Sequence, residues 1–285
     1  LIEVNRGCAY RCRFCAGSSL YAPLRQRSRQ LVQKMVENVF EWTERIGLVG
    51  SDVLSYPYLK ELIDYLVKSG KEITCSSLSG RRLMEDASLL SLLRKGGLRT
   101  LTIAPESGSS QLRSFLGKGF QNEDWRELIR QAVKAGFDRV KLYFMLGKPG
   151  GGVEEDLEFL SALTLAVPPF KITVSYSFLV PKPHTALQDF VPPPLSVWKR
   201  ERALFEGTLR KLKIEVSGES PRRAFLELFL SRGDRLLAEK IPEVLAQGGN
   251  FVSWRRVFEA LKRDFEEWPR CPWGGSIRPW SMVSH

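Results

Sequence analysis

Three cysteines fall within eight residues in "RGCAYRCRFCAG", Arg6 to Gly17: Cys8, Cys12 and Cys15, spaced C-x3-C-x2-C. The whole chain holds only five cysteines. An odd count with three crowded together suits metal ligation in a reducing compartment better than a secreted disulfide framework. A loop after a strand can turn three thiolates so spaced onto one small face. A structural zinc site takes four protein ligands, whereas a four-iron cluster held by three leaves one iron open to an outside ligand. No fourth cysteine lies nearby. The two histidines, His184 and His285, are distant in sequence, and a fold that returned either one as a fourth ligand is the zinc alternative.

The elements that must position this loop read as alternating strands and helices. Leu31, Met35, Val39, Trp42 and Ile46 recur near helical spacing and predict an amphipathic helix running into "IGLVG" (Ile46 to Gly50), an apolar run of the kind buried on both faces of a sheet. The spacing then predicts a helix near Tyr58 to Lys68, a strand at Glu72 to Ser77, a helix near Glu85 to Arg94 and a strand at Arg99 to Ala104. A helix at Asp124 to Ala135, a strand at Arg139 to Gly147, a helix at Glu154 to Val167 and a strand at Lys171 to Val180 follow. Six such units argue for an α/β fold with parallel strands, an open (β/α)6 partial barrel whose active-site loops sit at the carboxyl ends of the strands. After "VPKPHTALQDFVPPP" the composition changes, and a charged helix from Leu195 to Lys213 leads into further helical stretches. The expected organisation is a barrel domain at 1–190 and a mostly helical extension at 191–285.

The bulk numbers bound the class. At 285 residues, 43% apolar and 26% charged, the chain can bury a full core. No run approaches the roughly 20 apolar residues of a membrane span, and the first residues lack a signal-peptide layout. A cytoplasmic protein with no membrane association is the expectation. The formal charge of +11 permits an anionic partner such as RNA, with a solvated basic surface as the plainer alternative.

"CAYRCRFC" resembles the cluster motif of the radical S-adenosylmethionine (SAM) superfamily, with an aromatic residue before the last cysteine. The resemblance extends through "YAPLRQRS", "LVGSDVLSYPYL", "SSLSGRRL", "LTIAPESGSSQLRSFLGKG", "VKLYFMLGKPGG", "FLVPKPHTALQ", "LSRGDRLLAEKIPEVLAQGGNFVSW" and "CPWGG" to a subgroup that usually carries an amino-terminal cobalamin-binding domain. Such a domain is expected upstream of Leu1, and cobalamin is an implied cofactor. The resemblance implies that Cys8, Cys12 and Cys15 ligate a [4Fe-4S] cluster whose open iron is chelated by SAM, which is cleaved reductively to a 5'-deoxyadenosyl radical. A reductant such as flavodoxin or ferredoxin is the implied partner. By position, the Phe14 backbone would lie beside the adenine. Ser51 stands where the family's motif meets the SAM amino group, although the usual Gly-Gly-Glu is absent. Ser77 and Glu106 would reach the ribose or methionine moiety, and Leu146, Gly147 and Val180 would contact the adenine. Lys148 and Gly151 depart from the family pattern.

The implied reaction is a cobalamin-associated methylation of an unknown substrate. Two alternatives stand beside it. One is a methylthiotransferase-like modification of RNA or protein, against which the lack of a second cysteine triad argues. The other is a nucleic-acid-binding module with a structural metal.

Several residues carry two readings each. Glu106 in "APESGSS" is a functional carboxylate or a partner for a helix cap near Ser109. Lys118 neutralises a carboxylate or sits on an exposed turn. Arg25 and Arg27, before the helix-capping Ser28, face a cofactor cleft or a phosphate. Cys75 reads as a small buried hydrophobe, Cys271 as a packing residue or one that returns to the site, and His184 as a site contact or a loop histidine. Gly150 to Gly152 lack the spacing of a P-loop and read as a turn. Lys199, Arg200, Arg202, Arg210, Lys211, Lys213, Arg222, Arg223, Arg255 and Arg256, with Trp198 and Trp254 interleaved, would suit a tRNA or other nucleic acid, or are surface charges balanced by Glu201, Glu206 and Glu259.

Overall fold

The computed structural model describes residues 1–75, 78–166, 170–262 and 264–270. From the amino terminus, strand β1 (Ile2–Glu3) leads through the cysteine loop to helices α1 (Ala16–Leu20) and α2 (Arg29–Glu37), then β2 (Arg45–Val49), α3 (Leu59–Lys68) and β3 (Glu72–Thr74). Helices α4 (Gly80–Glu85) and α5 (Ser88–Lys95) precede β4 (Thr100–Glu106). Then come α6 (Ser110–Leu116), α7 (Asn122–Lys134), β5 (Arg139–Leu146), α8 (Glu154–Ala166) and β6 (Lys171–Phe178). Beyond residue 190 the alternation continues once more, with α9 (Leu195–Lys211) and β7 (Glu215–Gly218), before α10 (Pro221–Ser231), α11 (Arg235–Glu239), α12 (Ile241–Ala246) and α13 (Phe251–Glu259).

Strands β1, β2 and β3 pair in parallel, as do β4 through β7. The Leu78 amide donates to the Thr102 carbonyl at 3.1 Å and carries the first group onto the second. The result is the expected partial barrel with a seventh strand added, open between β1 and β7 among the described residues.

Strand parity decides what faces where. Val140, Leu142, Phe144 and Leu146 of β5 and Ile172, Val174, Tyr176 and Phe178 of β6 are buried under the helices. Tyr143 and Ser177, on the opposite parity, face the concave side. That side is an open cavity lined by polar and apolar residues together, Glu106, Tyr143, Met145, Ser177 and Val180 among them, so it is a cleft and not a packed core.

Helix α9 joins the sheet through aromatics. Trp198 stacks on Phe178 at 4.9 Å between ring centroids, and Phe205 lies 6.0 Å from Phe144. The same core continues into Phe225, Phe229 and Phe258 of the carboxyl-terminal helices and into Phe265 in the turn beyond them. Truncating one of these buried phenylalanines to alanine costs about 3–5 kcal/mol.

One periodicity reads differently in the fold. Helix α2 ends at Glu37, its buried residues are Val32 and Val36, and Trp42 is 86% exposed. The Leu31 to Ile46 stripe runs across a helix, a 3-10 turn at Phe40–Trp42 and a strand, so its spacing is not that of one element. Ser28 caps α2, accepting from the Leu31 amide at 3.3 Å, as its sequence position suggested.

Candidate active site

Cys8, Cys12 and Cys15 line one cavity of about 260 Å³ together with Tyr10, Phe14, Ser51, Asp52, Ser79, Glu106 and Lys118. The cysteine loop is held from above by the end of α6. The Arg13 amide donates to the Leu116 carbonyl at 3.1 Å, and Gly117 ends α6 in the left-handed conformation (φ 83°). A side chain on Gly117 would stand 3.3 Å from the Cys12 Cα, so this close approach needs glycine. Ser18 donates to the Cys15 carbonyl at 2.9 Å and fixes the start of α1.

The three thiols are free. Burial pushes the Cys8 and Cys12 thiols above the ordinary cysteine range, so a bound metal's positive charge is what would hold them as thiolates. Among the described residues no three His, Cys, Asp or Glu side chains converge on a single ion. A cubane does not require that, because each cysteine takes a different iron.

Two buried carboxylates share the cavity. Glu106 closes β4 with φ 69°, a left-handed backbone that costs a non-glycine residue on the order of 1–2 kcal/mol. Its side chain is 12% exposed and pairs with Lys118 at 3.2 Å. Burial pushes its carboxyl up, with Lys118 opposing. The helix cap belongs instead to Ser109, which accepts from the Leu112 amide at 3.4 Å. Lys118 also lies 5.9 Å from the Phe14 ring, between Glu106 and the cysteines.

Asp52 follows Ser51 at the end of β2, and sequence reasoning passed over it. Its side chain is 1% exposed, neither carboxylate oxygen makes a hydrogen bond, and the closest cation, Arg82, stands 3.8 Å away. Burial pushes its carboxyl up, opposed by Arg82 and by the nearby Tyr10 and Ser55 hydroxyls. The signal was in "GSDV": an acid stands two residues beyond Gly50, where the usual Gly-Gly-Glu places its glutamate. Asn5 fixes this turn, its side chain donating to the Asp52 carbonyl at 2.6 Å.

A second cavity of about 530 Å³ adjoins the first through Phe14, Ala104 and Glu106. Tyr143, Met145, Ser177, Val180, Lys182, Glu219 and Glu227 line it. Lys182 pairs with Glu227 at the rim, and burial pushes the lysine down.

Phe14, Ser51 and Glu106 line the cavity with the cysteines, while Val180 lines the adjoining cavity. Leu146 and Gly147 do not line either cavity. Leu146 is fully buried on the helix side of β5, and Gly147 abuts the Trp198 indole while its amide donates to Glu201 at 2.8 Å. Met145 is the β5 residue at the cleft. Ser77, Cys271 and His285 lie outside the described residues. Cys75 packs against the core, and His184 lines neither cavity. Arg27 pairs with Glu3. On the basic helices Arg202 and Arg210 both pair with Glu206, and Arg255 pairs with Glu259.

Comparison with known proteins bears on the family and the fold. A protein of Methanocaldococcus jannaschii described as uncharacterized is 34% identical over 269 residues, 93% of this chain and 57% of its own length. An uncharacterized methyltransferase of Pyrococcus horikoshii is 24% identical over 62% of this chain and 39% of its own. The chain spans about half the length of the curated relatives it matches. Among solved structures, the radical SAM methyltransferase TsrM of Kitasatospora setae, with cobalamin and a [4Fe-4S] cluster bound, matches with TM-score 0.56 and 19% identity over 67% of this chain and 36% of that one. The radical SAM enzyme coproporphyrinogen III oxidase of Escherichia coli matches with TM-score 0.52 and 16% identity over 74% of this chain and 51% of that one. These structures share the fold. The radical SAM family model matches residues 2–163, the stretch that contains the cysteine loop and the first five strands, and this chain belongs to the radical SAM superfamily.

Proposed function

We propose that Cys8, Cys12 and Cys15 hold a [4Fe-4S] cluster and that the cavity they line binds SAM. The observation that carries this reading is the meeting of three thiols with an unsatisfied buried carboxylate in one small cavity. A buried carboxylate with no hydrogen bond costs free energy unless a ligand supplies donors. Asp52 fits a cationic amine, as SAM carries, with Ser51 beside it. Glu106 fits the hydroxyls of a ribose, its charge held by Lys118. Phe14 offers apolar surface to an adenine, and Val180 lines the adjoining cavity beyond it. When bound, the cluster supplies the electron that splits the sulfonium's carbon-sulfur bond, for which a flavodoxin or ferredoxin is the expected donor. The chain's own part is to bind and orient SAM and to keep water from the site.

The adjoining cavity is the place for a substrate. Tyr143, Ser177 and Glu219 give it hydrogen-bonding groups, which suits a polar molecule. Methyl transfer with cobalamin is the finer reading. It is supported by relatives described as methyltransferases, one solved with cobalamin.

The test is anaerobic reconstitution. About four irons per chain, absorbance in the region of 400 nm and conversion of SAM to 5'-deoxyadenosine and methionine are expected. Stoichiometric zinc with no SAM cleavage overturns the proposal. Adding cobalamin and following the SAM methyl group by mass spectrometry tests the methyl-transfer reading separately.

A further inference from the structure

Lys148 follows β5 in "LGKPGG", a departure from the family pattern, and lies outside the cysteine-lined cavity. It is 3% exposed and pairs with Asp156, 1% exposed, in the first turn of α8. A buried ion pair is weak evidence for stability, since desolvation offsets the attraction. Its contacts point to another use. The Lys148 ammonium donates to the Ser107 hydroxyl at 3.3 Å, and that hydroxyl donates to Asp156 Oδ1 at 2.9 Å. The same oxygen accepts the Gly108 amide at 2.6 Å. Buried Arg113 donates to the Ser107 carbonyl at 2.7 Å. Every one of these bonds fastens the two residues immediately after Glu106.

Glu106 is the one described residue of a barrel strand, glycine aside, with a left-handed backbone, and the β4–β5 register shifts between Ile103 and Glu106. Such a conformation persists only where the surroundings over-determine it. The clamp meets that need: three elements, the loop after β5, α8 and α6, grip residues 107 and 108 so that the carboxylate of residue 106 is turned into the cavity. We propose that Lys148 and Asp156 are positioning residues for SAM, acting through the backbone of Glu106 without touching the ligand. This rests on the reading of Glu106 as a SAM contact.

The test uses the cluster-loaded protein and SAM, with the dissociation constant measured by equilibrium dialysis. Removing one member of the pair would strand a buried charge, so both are replaced, Lys148→Met with Asp156→Leu. Lys148→Arg is the conservative variant. Glu106→Gln alone is expected to weaken SAM about tenfold, and the paired replacement by a similar factor. The triple variant should lose no more than either, because both changes remove one contact. Iron content stays unchanged, Lys148→Arg recovers most of the affinity, and amide exchange at Gly108 accelerates in the paired replacement. The clamp is overturned if the paired replacement binds SAM within twofold of the parent while Glu106→Gln does not, or if the two losses multiply in the triple variant. A Glu106→Gln protein with unchanged SAM affinity overturns the assignment of Glu106, and the clamp with it.

Discussion

Asp52 and Glu106 each close or follow a strand of the same barrel and line the same cavity, yet their surroundings treat them oppositely. Glu106 is met by Lys118 at 3.2 Å, and the loop behind it is gripped by Ser107, Lys148 and Asp156. The Asp52 side chain, 1% exposed, is held more loosely: neither oxygen makes a hydrogen bond of ordinary geometry, Arg82 pairs with it only at 3.8 Å, and the Tyr10 and Ser55 hydroxyls are its other polar neighbours. One carboxylate is satisfied by the protein, the other is left for something to satisfy. A buried carboxylate so weakly partnered costs free energy, which a proton or a bound cation offsets. The difference teaches which carboxylate meets a ligand with its charge already balanced by the protein and which relies on the ligand for that balance.

The largest effect should come from what the two carboxylates share. Replacing Cys12 with serine removes one of three thiolates, and iron after reconstitution should fall from about four per chain toward none, with loss of 5'-deoxyadenosine formation. Retained cluster with retained 5'-deoxyadenosine formation in that variant would mean that Cys12 is not a needed ligand and would overturn the three-cysteine site. The next effect separates the two. Asp52→Asn should weaken SAM by roughly 10–100-fold, the worth of a hydrogen bond to a charged group, while thermal stability of the metal-free protein rises or holds. A fall in stability, or unchanged SAM affinity, would erase the contrast with Glu106.

A good part of this was legible in the sequence. The cysteine loop declares itself by spacing, and the strand and helix alternation by periodicity, because both are local properties. Phe14, Ser51, Glu106 and Val180 lie near strand ends or in the loop itself, and any barrel would bring such positions together. What stayed hidden depends on partners far along the chain. Leu146 is one residue out of phase with the cleft, because a strand that is apolar throughout does not show which parity faces inward until the helices are placed, and Gly147 lies past the strand's end, turned against Trp198. Strand β7 is short, with Glu215, Ser217 and Gly218 exposed, and so lacks the apolar run that marks a central strand. Asp52 looks like any turn aspartate until the fold buries it against Arg82 with no hydrogen bond. The Lys148 network joins residues 41 and 49 positions apart, a separation at which no periodicity operates.

Glu106→Gln sharpens the comparison from the other side, with a smaller loss. The amide leaves the Lys118 ammonium without its counter-charge in a partly buried site, so Tm should fall by roughly 2–6 °C. SAM affinity should drop only about tenfold. The two variants are therefore expected to lower SAM affinity alike, while only Glu106→Gln lowers stability. Calorimetry and dialysis on matched samples check both.

The smallest effect is the pH dependence that Asp52 imposes on the metal-free protein. Burial raises its folded pKa above the ordinary aspartate value of 3.8, so the folded state holds its proton to higher pH than the unfolded chain does. Stability from this group is then full below the unfolded value and is lost as pH rises through the folded one. Asp52→Asn has no proton to lose there. The Tm difference, variant minus parent, should widen as pH climbs from about 4 through the raised value and then level off. With saturating SAM the widening should shrink, because an amine beside Asp52 favours its charged form and lowers the folded pKa. A Tm difference that stays flat across that range, or that SAM leaves untouched, would show that the carboxylate is satisfied in some other way and that it differs from Glu106 only in its neighbours.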